Sequence, residues 1–272
     1  MKSYISAAVL AAALMPVAAF AQEEQKPAVT ISGSATIASD YRFRGVSQSD
    51  KGMAVQGGLT LSHESGLYAG VWGSNLAGWG TFGGANMELD LIGGYKLPVA
   101  DNATLDLGLI WYMYPGGADE SDFAEPYVKL TGTTGPATLT AGVAYAPKQY
   151  ALANISAAPN SRGQSEDNLY LWGDGALAIG GTPLTAKAHI GYSDGNPGLG
   201  PNGTSVAPTG RYWDWSLGMD ATWRNLTLNI SYVDTDIGNA EAARLQPNFS
   251  TGGDGSGSIA DAAVVASLTA SF

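Results

Sequence analysis

Along most of the chain, apolar and polar residues alternate with a period of two. The clearest stretch is 86–97, where Met87, Leu89, Leu91, Tyr95 and Leu97 share one parity and Asn86, Glu88, Asp90 and Lys96 the other. A β-strand projects two such sets to opposite faces. The rhythm recurs at 103–114, with Leu105, Leu107, Leu109, Trp111 and Met113 against Thr104, Asp106 and Tyr112. At 212–223 Trp213, Trp215, Leu217, Met219, Ala221 and Trp223 oppose Asp214, Ser216, Asp220 and Thr222. Weaker versions occupy 29–41, 53–62, 123–132, 137–146, 168–179, 184–193, 226–235 and 260–272. A further strand is predicted at 66–74. Its facing stays open, because Tyr68 and Trp72 oppose Leu67, Ala69 and Val71.

These segments predict twelve strands, and their connections alternate in length. The gaps 63–65, 98–102, 133–136, 180–183 and 224–225 are short, whereas 42–52, 75–85, 115–122, 147–167, 194–211 and 236–259 are long. Short turns at one rim and long loops at the other define an all-β fold, a transmembrane up-and-down antiparallel β-barrel. A soluble sandwich has no reason to sort its connections this way. No helical period or linker interrupts 22–272, which reads as one domain.

Charge follows the same alternation. Of thirteen Asp, Glu, Lys and Arg residues within the predicted strands, twelve lie on the less apolar parity. The acids are Asp40, Glu88, Asp90, Asp106, Glu125, Asp174, Asp214, Asp220 and Asp261, and the bases are Lys96, Lys129 and Lys187. Only Asp234 lies on the other parity, at the edge of a long loop. A lipid face would impose about 2–4 kcal/mol on a basic side chain near the midplane and less on an acid. The charged parity is therefore expected to line a wet lumen. Rings at strand ends mark the two interfaces on the outer face: Tyr41, Trp111, Tyr145, Trp213 and Tyr232 near the long loops, Tyr95, Trp223 and Phe272 near the turns.

The first residues place the chain in the cell. Lys2, an Ala-rich apolar stretch and Ala19-Phe20-Ala21 form a signal peptide over residues 1–21, cut before Gln22. The apolar run is shorter than the roughly 20 residues of a spanning helix. The formal net charge of −11 argues against nucleic-acid binding, which needs a basic face. The chain has no Cys, so thiol chemistry and disulfides are excluded.

Ala260 to Phe272 is an alternating last strand ending in Phe, and it resembles the assembly signal of bacterial outer-membrane barrels, Phe272 being its terminal residue. The run from Asp40 through Arg42, Arg44, Gly45 and Ser49, continuing by Gln56-Gly57-Gly58 to His63–Trp72 and Ser74-Asn75, resembles the TorF-type family. These are exported proteobacterial proteins that carry a porin label. The close likeness covers about residues 31–97. It implies a barrel and transport, and brings no catalytic residues.

A barrel of twelve strands lies between filled eight-stranded barrels and wide sixteen-stranded ones, so only ions and small solutes should pass. The inward strand charges sum to −6, which gives a modest cation preference. Arg42 and Arg44 continue the inward parity; they are expected either to form ordinary surface ion pairs of the loop or to face acids such as Glu88 and Asp214 near the mouth. Loop 147–167, with Tyr150, Asn154, Asn160 and Arg162, is long enough to fold inward as a constriction. The rival reading is a barrel hydrolase, which needs a nucleophile and a base. Its candidate bases are His63, in a short turn, and His189, on the lumen parity with Lys187. His63-Glu64-Ser65-Gly66 lacks the His-x-Ser-Asn-Gly run of phospholipase barrels. A third reading is a closed structural or adhesive barrel. No cofactor or metal site is expected, since the Asp-Gly loops lack calcium-loop spacing. The expected partners are outer-membrane lipid, the barrel-assembly machinery and the solutes themselves.

Overall fold

The structure, a computed structural model, describes residues 27–118, 120–153, 165–200 and 203–272. In chain order the strands are β1 (Val29–Ala38), the hairpin arms β2 (Arg42–Phe43) and β3 (Val46–Ser47), then β4 (Ala54–His63), β5 (Leu67–Asn75), β6 (Met87–Ala100) and β7 (Ala103–Met113). They continue with β8 (Phe123–Thr134), β9 (Ala137–Gln149), β10 (Glu166–Ala178), β11 (Leu184–Gly195), β12 (Arg211–Trp223), β13 (Leu226–Thr235) and β14 (Ala263–Ser271). All but the hairpin arms form one closed antiparallel barrel of twelve strands, each next to its chain neighbour. β1 closes on β14 from Ser34↔Ser271 to Ala38↔Ser267, and Gly33 and Phe272 exchange two backbone hydrogen bonds below that register.

The predicted parity sets the two faces. Leu217, Ile190, Ile230, Leu139 and Val55 stand exposed on the outside, and Asp90, Asp106, Glu125 and Asp214 are buried inside. The backbone groups of each strand are paired around the closed sheet, which is what a hydrocarbon surrounding requires. Trp111, Tyr145, Trp213, Tyr232, Tyr95, Trp223 and Phe272 all project outward. Asp234 stays on the outer parity at the loop rim, where the Tyr232 hydroxyl donates to it at 2.7 Å.

Two expectations fail at strand ends, for one reason: the alternation outruns the strand. β1 stops at Ala38, and the chain then turns into the barrel. Tyr41 therefore sits inside rather than in the outer belt, its hydroxyl donating to Glu88 at 3.1 Å and its ring edge-on to Trp72. β14 starts only at Ala263, so Asp261 is an exposed loop residue that accepts the Ser258 amide at 3.0 Å, not part of the lumen wall.

The facing of β5 is resolved as well. Leu67 is exposed on the outside, and Tyr68 and Trp72 point inward. Inward rings fit because they lie along the wall over glycines. A Cβ placed on Gly94 would fall 2.4 Å from the Tyr68 hydroxyl, one on Gly108 2.4 Å from the Tyr127 ring, and one on Gly142 2.2 Å from the Trp172 ring. Each is too close for a side chain, so glycine is what lets the ring lie flat.

Candidate functional site: the lumen

The lumen is filled at the loop rim and open toward the turn rim. On β6 the inward residues pass from buried Glu88 and Asp90 to exposed Lys96, and on β12 from buried Tyr212 and Asp214 to exposed Thr222. Two apolar clusters pack the loop end. One joins Leu76, Phe82, Tyr114 and Leu152, and the other joins Val46, Trp79, Leu245, Phe249 and Ile259.

The hairpin β2–β3 forms the inner boundary of this packing. Gly45, at φ +79°, makes its turn, and a Cβ there would lie 2.3 Å from Thr235 Cγ2. The hairpin is held from the last long loop, where Ile259 accepts the Ser47 amide at 3.1 Å and an Arg42 Nη1–H at 2.9 Å. Arg42 also donates through Nε to Asp40 at 2.5 Å, and Asp40 accepts the Ser47 hydroxyl at 2.6 Å. Arg44 reaches across the barrel. Its Nη2 donates to both Glu125 oxygens at 2.7 Å, with side-chain exposures of 5% and 2% for the pair. Its guanidinium lies 4.7 Å from the Phe43 ring centre and 4.1 Å from that of Tyr170. Burial, the largest single influence on Arg44, works against its charge, but Glu125 together with Tyr112 and Tyr170 outweighs it, and the pKa stands above the ordinary value.

Arg42 and Arg44 are thus inside, in neither surface ion pairs nor pairs with Glu88 and Asp214. Their partners are Asp40 and Glu125, because the turn at Gly45 redirects the chain away from the parity of β1. Glu88 instead accepts from Tyr41, and one oxygen of Asp90 is buried with no hydrogen-bond partner among the described residues. The constriction expected of loop 147–167 falls largely outside the described residues, which omit Asn154, Asn160 and Arg162. Among the described residues the hairpin in 42–52 takes the inward position.

Below the hairpin a cavity of about 620 Å³ runs toward the turn rim, lined by Arg44, Tyr68, Lys96, Asp106, Glu125, Tyr127, Lys129, Tyr170, Trp172, Asp174, His189 and Asp214 among others. The register explains this convergence. Lys96, Asp106, Lys129, Gly142 and Trp172 form one cross-strand row, and Tyr68, Gly94, Gly108, Tyr127, Ala144 and Tyr170 form the next. Tyr68 and Tyr127 lean toward each other and share a hydroxyl–hydroxyl contact, while Tyr68 also donates to Asp106 at 2.6 Å. Lys129 Nζ lies 3.4 Å from the other Asp106 oxygen. His189 sits with Nδ1 2.7 Å from Asp174 and Nε2 3.1 Å from Asp214 and 3.0 Å from the Tyr170 hydroxyl. Lys187 and Asp220 lie nearer the turn rim, 3.9 Å apart. The other candidate base, His63, is exposed at the turn rim with Nδ1 2.8 Å from the Ser65 hydroxyl. The charged lining of the cavity is balanced: Arg42, Arg44, Lys96 and Lys129 against Asp106, Glu125, Asp174 and Asp214.

An apolar exterior, a charged interior and a closed antiparallel wall are the architecture of a transmembrane β-barrel, and the fold is similar to that of NanC porin. The two chains share 12% identity, with 89% of this chain and 99% of that one aligned at a TM-score of 0.54. By sequence, the chain belongs to the Gcw_chp family, bacterial proteins of unknown function, over residues 22–272. Looser likenesses include DcaP, an outer membrane channel of Acinetobacter baumannii (11% identity, 90% of this chain and 97% of that one, TM-score 0.41). Another is a loop-deleted OmpT of Vibrio cholerae (9% identity, 90% and 99%, TM-score 0.43). Among curated proteins, no sequence matches this chain.

Proposed function

We propose that this chain is an outer-membrane porin, exported by residues 1–21 and assembled with Phe272 as its terminal signal. In this reading it passes ions or small solutes and catalyses nothing. The porin label of the TorF-type resemblance agrees with it. The observation that carries the reading is the inside-out barrel, which buries Arg44, Asp106, Glu125 and Asp214 around a cavity in its lumen. The hairpin sits at the packed end of the lumen. There Asp40, Glu88, Asp90, Glu125 and Asp214 exceed Arg42 and Arg44, and an acidic excess in a low-dielectric channel favours cations.

The packed loop end supports a second reading, a barrel shut at rest that conducts only when the hairpin leaves its seat. Planar-bilayer recording under a salt gradient separates the two. Wild-type protein with small, cation-selective steps supports the first, and Glu88→Gln with Asp90→Asn then lowers the selectivity. Silence in the wild type with conductance after removal of residues 42–47 supports the second. Silence in both refutes a channel of either kind.

A further inference from the structure

Three tyrosine rings of the lumen already carry a protein cation. Lys96 lies 5.0 Å from the Tyr68 ring centre, Lys129 5.2 Å from that of Tyr127, and Arg44 4.1 Å from that of Tyr170. Trp172 lines the same cavity, and among the described residues no cation lies over it. Its ring lies along the wall over Gly142 and stacks at 18° beside Tyr170. It is half-exposed.

Polar groups flank this plate on two sides. Along its cross-strand row come Lys129 and Asp106. Two residues on along β10 comes Asp174, held by His189, with a side chain still 44% exposed. An aromatic face is electron-rich and attracts partly positive C–H groups, while the flanking donors and acceptors suit hydroxyls. Leaving His189 aside, the four acids and four bases of the cavity lining balance in formal charge, so the wall around the plate carries no excess of one sign to favour an ion over a neutral ligand. A ligand with one C–H face, a hydroxyl edge and no charge meets all three conditions. The volume of about 620 Å³ suits a small organic molecule.

We propose that Trp172 is the platform of a lumenal binding site for a neutral sugar of one or two rings. The ring face stacks on the indole, and the hydroxyls bond to Lys129–Asp106 on one flank and Asp174–His189 on the other. The proposal rests on the porin reading, since it names the class of solute that reading leaves open.

Titration calorimetry on the folded full chain, in a detergent without a sugar headgroup, tests it with glucose, maltose, choline and glutamate as probes. Saturable binding of glucose or maltose is expected, with neither choline nor glutamate binding as tightly. Trp172→Ala should weaken sugar binding about tenfold or more, and Trp172→Phe less. Gly142→Ala keeps the indole but forces it off the wall, so it should weaken sugar binding too. Heat-dependent gel mobility confirms that each variant is a folded barrel. Absence of sugar binding by the wild type, unchanged binding by Trp172→Ala, or tighter binding of either charged probe overturns the proposal. Bilayer recording on the same preparation keeps the two readings apart. A barrel that conducts without taking up sugar sinks this inference alone, and one that binds sugar through Trp172 but never conducts sinks the porin reading and upholds the site.

Discussion

Replacing Arg44 with Ala strands Glu125. That carboxylate is 2% exposed and among the described residues has one other side-chain donor, the Tyr112 hydroxyl at 3.3 Å. Removing one partner of a buried ion pair costs about 3–5 kcal/mol, since the remaining charge is left uncompensated. The same change also removes the guanidinium from between Phe43 and Tyr170. The barrel wall is untouched, so the loss falls on the seating of the hairpin. At about 1.4 kcal/mol per factor of ten, a loss near 4 kcal/mol lowers the ratio of seated to unseated hairpin by roughly three orders of magnitude. Native-state hydrogen exchange reads this at the Ser47 amide, which donates to Ile259, and the Gln48 amide, which donates to Tyr41. Both should exchange faster in Arg44→Ala, by up to that factor, while amides in mid-barrel strands keep their rates. Arg44→Ala with Glu125→Ala removes both charges and should recover much of the protection, because no buried charge is left alone. Wild-type exchange at Ser47 and Gln48 in Arg44→Ala, or acceleration spread evenly around the barrel, would refute the reasoning.

Further outcomes follow from the wall and the seam. Leu217→Arg places a charge in the middle of the outer face of β12 and should cost about 2–4 kcal/mol, seen as loss of heat-modifiable folded protein. Its neighbour Ser216→Arg faces the lumen and should still yield a folded barrel. Gly45→Ala strains a residue at φ +79° and drives a methyl against Thr235, so it should weaken hairpin seating by about 1–3 kcal/mol in the same exchange assay. Deleting Phe272 removes two backbone hydrogen bonds at the β1–β14 seam and the ring lying over Gly33. Folding yield in vesicles should fall, while any material that does fold keeps wild-type conductance.

The wall was legible because its signals are local. A period of two assigns each side chain to a face, and loop length sorts the rims, so parity alone turns Glu88, Asp90, Asp106, Glu125, Lys129, Asp174, Lys187, His189, Asp214 and Asp220 inward. The hairpin was not legible in this way. Its anchor joins Arg44 to Glu125 across 81 positions of chain, and nothing in either neighbourhood names the other. A signal did exist at Gly45, which interrupts the alternation inherited from β1. Extending that alternation past Ala38 is what misplaced Tyr41, and starting the last strand too early is what misplaced Asp261. Tyr68 and Trp72 were ambiguous because an aromatic side chain suits either a lipid belt or a lumen. Their facing is decided by the glycines of neighbouring strands, and that information is one strand removed from the residues it governs.

Those glycines set the calibre of the bore. A ring lying along the wall takes up little more than its own thickness, whereas one displaced by a single methyl at Gly94, Gly108 or Gly142 must stand toward the axis. The width of the passage is therefore encoded at positions that have no side chain. A scan that trims only the residues projecting into the channel would overlook what governs its diameter.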